Sequence, residues 1–313
     1  MTVPRPDLSV IITSYNARPT IAACLDSLRA QATSLAFEIL LVDSSADGTA
    51  AFVREEYPEV VVLSSPERLF AGSARNVAIP HARATLIAFL DADCTVDAGW
   101  VEEVCAAHEG PDLLVGGSVD NAPTRSLVAW AYYFCEFNLW LPAARGRAMS
   151  EAAGCCLSMK REAYDRYGPF IEATYSSDTA FQWRARRDGQ RVQYTPSIRV
   201  IHQSPTGLRH FLQHTAEHRH GYARVKCLDR RLSTAGRRLE MALLTVTPVL
   251  LLGATLVRLR VCPRYLPRFL AASPLVFLGY AARSWGEFTG YLKGRDDLRS
   301  DPSDDDNSVG SSS

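Results

Sequence analysis

The sequence predicts an α/β protein with a mostly parallel sheet flanked by helices and, after it, an apolar helical hairpin. Short β-branched runs alternate with amphipathic helical segments over residues 8–93, a pattern that is typical of βαβ units. The chain has 313 residues, of which 47% are hydrophobic, and this is enough for one large domain with an appendage. Two long uncharged stretches near the C-terminus supply the hairpin.

Four apolar runs in the first part of the chain predict strands: LSVIIT (8–13), FEILLVD (37–43), VVVLSS (60–65) and LIAFLDAD (86–93). The segments between them predict helices at residues 18–31 and 47–57 and a loop with a helix at 71–82. Parallel strands joined in this way place ligands beyond their carboxyl ends. Polar residues follow the strands directly, so we expect a binding site at this edge of the sheet.

The pattern changes after residue 93 and predicts a mixture of elements. Residues 113–119 form a further strand, residues 126–141 are rich in aromatic side chains, and residues 151–170 form a strand followed by a short helix. Residues 176–189 predict a helix that is closed by a glycine. The segment after it, residues 190–204, is extended.

The formal net charge is zero, but the charges are unevenly distributed along the chain. Between Arg184 and Arg238 there are 13 basic residues against 3 acidic ones, whereas six aspartates lie between Asp296 and Asp306. The basic segment favours anionic partners such as phosphates or acidic lipid headgroups, or it is the solvated face of a helix. We expect no nucleic-acid partner.

The eight cysteines show no C-x-x-C or histidine spacing that predicts a zinc site. We expect the adjacent Cys155 and Cys156 to pack as small hydrophobic side chains, because no histidine and asparagine arrangement predicts a cysteine nucleophile. The first seven residues are polar and contain two prolines, without the pattern of a signal peptide. These features predict a reducing, cytosolic setting.

The two apolar stretches near the C-terminus indicate contact with a membrane. Met241 to Val257 contains 17 residues without a charge, and Phe269 to Ala282 contains 14. As a helix the first would be roughly 26 Å long, just short of the ~30 Å hydrocarbon core, and the arginines of the linker oppose a two-span topology. We therefore expect a hairpin that enters or lies on one leaflet, with a buried hairpin of a soluble protein as the alternative.

These patterns divide the chain into three parts. The first, residues 1–225, holds all the predicted strands and is the α/β domain. The second, residues 226–295, is a basic and apolar helical region that associates with membranes. The third, residues 296–313, is an acidic tail that we expect to be disordered.

The run LIAFLDADC (86–94) ends a buried strand in two carboxylates. Burying charge without a partner is costly, so Asp91 and Asp93 either reach solvent or hold a cation. Carboxylates two residues apart across a turn can share Mg²⁺ or Mn²⁺, which prefer oxygen ligands. A helix cap or a turn accounts for one of the aspartates but not for both. We therefore predict a divalent metal site here.

Five segments together resemble family 2 glycosyltransferases in their order and spacing: LSVIITSYNARPTIAACLDSL (8–28), EILLVDSSADGT (38–49), GSARNVAI (72–79), IAFLDADC (87–94) and SSDTAFQWRARRDG (176–189). The resemblance covers about residues 8–225. It implies a transferase with the GT-A fold that inverts the configuration of the transferred sugar. It also implies Mn²⁺ or Mg²⁺ as the cofactor, bound by the second aspartate of D-x-D.

In that family the end of the first strand and the position of Asp43 hold the base and ribose of the donor. The resemblance therefore implies a nucleotide-sugar donor, with a UDP-sugar favoured, held by Thr13, Tyr15, Asn16 and Asp43. It places Asp91 near the ribose or the diphosphate, and Asp93 on the metal.

Further residues match family positions near the donor. Arg75 matches a position beside the nucleotide, and a surface arginine on a helix is the alternative. His202 follows a late strand, where it either completes the metal or diphosphate site or is satisfied by the backbone. The segment EHRHGYAR (217–224) resembles the one that closes over the donor diphosphate, with Arg219, His220 and Tyr222 as candidates.

Inversion at a sugar carbon needs a general base that deprotonates the acceptor hydroxyl. The family base is the aspartate of a Glu-Asp pair that opens a helix, and here that pair is Ser177-Asp178. The resemblance makes Asp178 the base, and an aspartate that only stabilises the helix N-terminus is the alternative. Gly154 matches a glycine-rich loop on the acceptor side.

The segment RSWGEFTGYLKG (283–294) resembles the ending of membrane-associated members. It implies a lipid-linked or cell-surface glycan acceptor and an enzyme at the cytoplasmic face of the cell membrane. A nucleotidyltransferase is disfavoured because TSYNARP (13–19) lacks the glycines of a phosphate loop. A non-catalytic, membrane-bound scaffold with a GT-A-like fold stays open because Ser177 replaces the family glutamate.

Overall fold

The computed structural model describes residues 5–142 and 147–294, so the tail predicted at 296–313 lies outside the described residues. The strands are β1 (Leu8–Ser14), β2 (Phe37–Asp43), β3 (Val61–Ser64), β4 (Leu86–Asp91), β5 (Cys94–Val96), β6 (Leu114–Asn121), β7 (Arg147–Met149), β8 (Leu157–Lys160) and β9 (Val192–His202). The helices are α1 (Ile21–Arg29), α2 (Thr49–Glu56), α3 (Ala71–Ala78), α4 (Trp100–Ala107), α5 (Leu127–Phe137), α6 (Arg161–Tyr167), α7 (Ser177–Arg187), α8 (Leu208–Asp229), α9 (Thr234–Leu243), α10 (Thr247–Arg258) and α11 (Leu266–Lys293). Short 3₁₀ turns cover Ile79–His81, Gly154–Cys156, Leu259–Val261 and Pro263–Tyr265.

Within the described residues the strands form one sheet in the order β3-β2-β1-β4-β8-β6-β9-β5, and β7 pairs with β9. The first four strands are parallel, as the βαβ pattern predicts. Their register places Ser14 opposite Asp43 and Thr13 opposite Asp91. The carboxyl ends of β1, β2 and β4 therefore bring the predicted donor residues to one edge.

The second half of the sheet is mixed, so the expectation of a mostly parallel sheet holds only for β1 to β4. Strand β8 is antiparallel to β4 and β6, and β9 is parallel to β6 but antiparallel to β5 and β7. The aromatic helix α5 packs against α11 and does not cross over the sheet. Without that crossover the βαβ rhythm ends, and β8 enters the sheet in the opposite direction.

Helices cover both faces of the sheet. On one face Val10 and Ile12 of β1 pack into a core with side chains of α1 and α4. On the other face Ile11 packs into a second core with side chains of α3, α6 and α7. Because both faces are buried, the strand is a continuous apolar run and does not alternate with polar residues.

The C-terminal helices form a further layer beside the sheet. Helix α8 runs without a break through residue 225, and α11 packs along α8 and α5. A third core joins these elements, with Phe134 and Tyr133 of α5 packed near Phe269 and Tyr280 of α11. The helical region after residue 225 therefore shares a core with the α/β domain.

The first predicted apolar stretch is not a single helix. It is divided between α9 and α10, with a bend of 63°. Pro248 lies in the first turn of α10, where it cannot continue the hydrogen bonding of a preceding helix. None of the described helices is by itself long and apolar enough to cross a membrane. Helices α9 and α10 reach the required length and apolar composition only when they are counted together.

Candidate active site

Hydrogen bonds fix the edge formed by β1 and β2. Asp43 is buried, and its Oδ1 accepts hydrogen bonds from Ser14 Oγ at 2.7 Å and Ser45 Oγ at 2.6 Å. Ser45 Oγ also accepts the backbone N–H of Asn16 at 2.6 Å. Asn16 has a φ of 53°, a left-handed conformation that asparagine tolerates better than most residues. The loop after β1 is thus tied to the carboxylate that the resemblance assigns to the nucleotide.

Tyr15 lies next to this network and is 46% exposed. The guanidinium carbon of Arg68 lies 4.6 Å from the centre of that ring, in a cation–π contact. Arg68 also donates a hydrogen bond to Tyr175 Oη at 3.1 Å. An exposed aromatic ring beside an arginine offers a flat surface on which a planar base can stack.

Asp91 ends β4 and lies between a hydroxyl and a guanidinium. Thr13 Oγ1 donates to Asp91 Oδ1 at 3.3 Å, and the Arg75 guanidinium is 3.9 Å from the same oxygen. Burial raises the pKa of Asp91 to about 6, Arg75 opposes that increase, and the nearby Asp93 adds to it. Two carboxyl groups that repel one another in this way gain from a cation between them.

Asp93 and His202 face each other across the sheet edge. His202 Nε2 lies 3.3 Å from Asp93 Oδ2, and Cys94 is paired with His202 in the β5–β9 ladder. Although burial opposes ionisation of Asp93, the contact with His202 lowers its pKa, and Asp93 in turn raises the pKa of His202 despite burial.

The donor atoms here fit a divalent cation. Ligand atoms of Asp93, Cys94 and His202 lie within 4.8 Å of one another. Cys94 is fully buried, and burial raises the pKa of its thiol far above its ordinary value. The Asp93 carboxylate is the kind of oxygen ligand that Mn²⁺ and Mg²⁺ prefer, and His202 adds an imidazole nitrogen beside it.

Asp178 lies in the first turn of α7, and it packs against the loop before β8. A Cβ atom on Gly154 would lie 2.6 Å from Asp178 Oδ2 and 3.0 Å from a terminal nitrogen of Arg75. The same nitrogen of Arg75 donates to the backbone oxygen of Gly154 at 3.0 Å. The absence of a side chain at Gly154 thus lets Asp178 and Arg75 approach each other.

Ser177, which the resemblance places at the position of the family's glutamate, is buried against α3. Its Oγ lies 2.2 Å from the position that a Cβ on Gly72 would occupy. The side chain is 2% exposed. This close approach of α3 and α7 leaves little room for a larger side chain at position 177.

These groups line one cleft with a volume of about 860 Å³. Asp91, Asp93 and His202 lie along it, as do Asp178 and Arg75. Thr13, Tyr15 and Asn16 line the nucleotide end. Asp43 is not part of the lining and acts on the cleft through Ser14 and Ser45.

The candidates on α8 separate into two groups. Arg219 and Tyr222 line the cleft, and the Arg219 guanidinium lies over the Tyr222 ring at 3.7 Å while it forms a buried ion pair with Glu287 of α11. His220 lies outside the cleft, where its Nδ1 contacts Thr289 Oγ1 at 3.0 Å. A helix turns by about 100° per residue, so neighbouring positions cannot all face one side.

Three histidines of α8 also line the cleft, although no motif predicted them there. His210, His214 and His218 stack along α8, with ring centres about 6 Å apart. Tyr132 Oη lies 3.3 Å from His214 Nδ1, and the Tyr132 ring stacks on His202. The spacing of four residues is visible in the sequence and predicts one helical face.

Glu136 and Glu151 also line the cleft without having been expected there. Glu136 Oε2 lies 3.6 Å from His218 Nδ1. Glu151 precedes the Gly154 loop and accepts a hydrogen bond from Trp183 Nε1 at 2.9 Å. No motif indicated either residue, because their roles depend on which elements meet in space.

Comparison with known proteins identifies the family of the chain. The family model for glycosyl transferase family 2 matches residues 9–168. The chain is 34% identical over 209 residues to the glycosyltransferase AglE of Haloferax volcanii, covering 64% of this chain and 68% of that protein. It is 25% identical to the pre-mycofactocin glycosyltransferase of Mycobacterium tuberculosis over 67% of this chain, but this match spans only 45% of that protein.

Two solved structures share the fold. The mannosyltransferase PcManGT from Pyrobaculum calidifontis, in complex with GDP-Man and Mn²⁺, aligns with a TM-score of 0.56 and 20% identity over 93% of this chain and 86% of that one. GalNAc-T7 with UDP, GalNAc and Mn²⁺ aligns with a TM-score of 0.52 and 17% identity over 71% of this chain and 47% of that one. The predicted GT-A fold is confirmed by these structures, and the family match extends over half of the chain. The chain therefore belongs to glycosyl transferase family 2 and is a glycosyltransferase.

Proposed function

We propose that this glycosyltransferase moves a sugar from a nucleotide-diphosphate sugar to a membrane-proximal glycan or lipid-linked acceptor, with inversion at the sugar carbon and with a divalent cation. The observation that carries the proposal is that Asp178 lines the same cleft as Asp91, Asp93 and His202. A base and a cation site on one cleft are what such a displacement requires.

The donor end of the reaction uses the edge of the sheet. Tyr15 and the loop held by Asp43 receive the base and ribose, and the diphosphate extends toward Asp91. Asp93 and His202, with Asp91 nearby, would hold Mn²⁺ or Mg²⁺, and the bound cation would supply positive charge to the leaving diphosphate. The neighbouring folds with GDP-Man or UDP and Mn²⁺ support this choice of donor class and cation.

Asp178 serves as the general base at the acceptor end. Its carboxylate accepts the proton of the acceptor hydroxyl while the acceptor oxygen forms a bond to the anomeric carbon. The bond between that carbon and the diphosphate oxygen breaks on the opposite side, and inversion results. The Asp178 carboxylate lies against Gly154, where a Cβ would be 2.6 Å from its Oδ2, and Arg75 donates to the backbone oxygen of that glycine.

The proposed location is the cytoplasmic face of a membrane. Helix α9 has no buried side chain, and apolar residues of α9, α10 and their flanks form an exposed apolar patch: Leu239, Leu243, Val246, Val249, Leu250, Leu256, Val257 and Val261. Large exposed patches of this kind mark interaction surfaces. Residues 230–268 contain eight arginines and one acidic residue, which favours an anionic lipid surface.

The test is the release of nucleoside diphosphate from a panel of UDP- and GDP-sugars, measured with Mn²⁺ and with EDTA. The proposal predicts release from at least one donor that depends on Mn²⁺. A folded protein that binds and cleaves none of these donors would contradict the proposed reaction.

A further inference from the structure

Glu151 is a carboxylate in the cleft that the donor chemistry does not use. Trp183 Nε1 donates to its Oε1 at 2.9 Å, and Trp140 Nε1 donates to its backbone oxygen at 2.8 Å. The side chain and the backbone of this residue are therefore held by two different tryptophans. Within the described residues, its second oxygen, Oε2, has no hydrogen bond.

The Glu151 loop is attached to the helix that carries the base. Gln182 of α7 accepts the backbone N–H of Ala152 at 2.6 Å and donates to the Ala152 oxygen at 3.2 Å. The same amide donates to the backbone oxygen of Asp178 at 3.1 Å. Gln182 thus fixes the loop relative to the start of α7, so that Glu151 and Asp178 form a pair with a defined geometry.

The two carboxyl groups influence each other. Burial raises the pKa of Glu151, and the negative charge of Asp178 contributes to that increase although the Trp183 hydrogen bond opposes it. A phosphate entering between two acidic groups would be repelled. A neutral hydroxyl can instead donate to one of them without that penalty.

Each arginine that lines the cleft contacts another residue of the protein, although among the described residues Nε of Arg75 and Nε of Arg283 have no hydrogen-bond partner. Arg219 and Arg283 contact Glu287, and Arg258 donates to Asn138 Oδ1 at 2.5 Å. Toward Asp178, Arg75 donates to the Gly154 oxygen and lies near Asp91. Beside the base, the Glu151 loop therefore offers a second carboxyl group to a ligand.

The apolar part of the acceptor end is also suited to a sugar. Trp140 lines the cleft beside Phe137, with ring centres 6.5 Å apart, and Leu139 between them in sequence is exposed. Aromatic rings present a flat apolar surface beside polar groups, and a pyranose has a matching apolar face and equatorial hydroxyls. Carboxyl oxygens beside aromatic rings are complementary to this combination.

We propose that Glu151, with Asp178 and Trp140, forms an acceptor subsite that selects a sugar hydroxyl over a phosphate. Glu151 accepts a hydrogen bond from a hydroxyl of the acceptor sugar while Asp178 takes the proton of the reacting one. Glu151 thereby supplies a second carboxylate beside the base from a separate loop. The resemblance implies a glutamate at position 177, next to the base, and this chain has Ser177 there. This inference rests on the proposed function.

The test compares octyl β-d-glucoside, octyl β-d-galactoside and octyl α-d-mannoside with farnesyl phosphate as acceptor probes. Each is offered with Mn²⁺ and a mixture of UDP-glucose, UDP-galactose and GDP-mannose, and products are identified by mass spectrometry. Binding is followed in parallel by tryptophan fluorescence in the presence of Mn²⁺ and UDP or GDP. We expect binding and transfer with an octyl glycoside and none with farnesyl phosphate.

Glu151→Gln should raise the KM for the octyl glycoside by about tenfold or more, because a hydrogen bond to a charged group is lost. The same change should move kcat less, and the affinity for UDP or GDP should stay within about twofold. Glu151→Asp should recover part of the loss. Glu55→Gln, an exposed carboxyl on α2, is the matched control.

Three results would overturn the subsite: better transfer to farnesyl phosphate than to any glycoside, an unchanged KM in Glu151→Gln, or nucleotide binding without binding of any octyl glycoside. Failure of the proposed function has a different signature. In that case neither UDP nor GDP binds with Mn²⁺, and no donor is cleaved.

Discussion

The sheet buries its apolar side chains between two layers of helices, whereas α9 and α10 leave theirs in contact with solvent. Val10, Ile11 and Ile12 of β1 are fully buried, but Val249 and Leu250 of α10 are each 64% exposed. In the sheet the hydrophobic effect stabilises the fold and holds the site. The exposed side chains of α10 contribute little to folding, and we propose that their apolar character serves contact with a membrane surface.

The largest effect is expected in the cleft that the sheet and α7 form together. Asp178→Asn should lower the rate of transfer by about 10²- to 10⁴-fold, because general base catalysis contributes that much. The affinity for nucleoside diphosphate should remain, and single-turnover kinetics with saturating donor would separate the two. Asp165→Asn on the exposed face of α6 is the matched control. Full turnover by the Asp178 variant would assign proton transfer to another group.

Gly154→Ala tests whether the close approach of the Gly154 loop to helix α7 positions the base. The new Cβ would lie 2.6 Å from Asp178 Oδ2, so the carboxylate must move. A displacement of about 1 Å can cost on the order of 10²-fold in rate. We expect kcat to fall by that amount while thermal unfolding shows a folded protein, and an unchanged kcat would contradict the contact.

A pair of substitutions contrasts the two regions directly. Leu40→Ala in the buried strand β2 should lower the free energy of unfolding by about 2–5 kcal/mol. Val249→Ser with Leu250→Ser in the apolar patch should change it by less than about 1 kcal/mol, since exposed positions contribute little.

The same double variant should bind vesicles containing phosphatidylglycerol at least about tenfold more weakly, because each buried Val or Leu contributes about 1.5–3 kcal/mol. Vesicle flotation measures this, with pure phosphatidylcholine vesicles as the comparison for the arginines. Unchanged binding of the double variant would remove the patch as the lipid contact.

The smallest expected effect is a decrease in folding stability at acid pH, caused by a histidine of the sheet domain. His108 is buried with its Nε2 2.9 Å from Ser158 Oγ, and burial lowers its pKa to about 4. The unfolded chain takes up the proton near pH 6.5, so folding stability is fully present above that pH and decreases as the pH falls toward 4.

The titration of His108 alone lowers the free energy of unfolding by roughly 1 kcal/mol between pH 7 and pH 5.5. His108→Gln, which can keep a hydrogen bond to Ser158, should show a correspondingly smaller decrease. Urea unfolding of both proteins at the two pH values measures the difference. Equal decreases in the two proteins would show that His108 titrates normally.

The residues of the sheet edge could be predicted because short-range patterns determine them. The carboxylates Asp91 and Asp93 follow a buried apolar run, which predicts a site at the end of that strand. The βαβ pattern predicts parallel pairing, and in the structure Asp91 lies opposite Thr13 while Asp43 lies opposite Ser14. Asp178 could be placed only by resemblance. The structure adds the reason for its position, which is the contact with Gly154.

Other features depend on packing between distant segments, and the sequence did not reveal them. Glu151 reaches the base through hydrogen bonds of Gln182 and Trp183, and these bonds leave no periodic signal. His220 faces away from the cleft because α8 continues as a regular helix through the segment that resembles a donor-binding motif. Pro248 is a residue type that favours the start of a new helix, and it lies in the first turn of α10. Composition alone suggested one continuous apolar segment.

The most direct test of the account is calorimetric titration of UDP and GDP into the protein with and without Mn²⁺, in the natural chain, Asp93→Asn and the control Asp165→Asn. The account predicts that Mn²⁺ strengthens binding of at least one nucleotide by about tenfold or more, and that only Asp93→Asn abolishes this effect. An undiminished effect of Mn²⁺ in Asp93→Asn, or none in the natural chain, would contradict a nucleotide and cation site at this edge of the sheet.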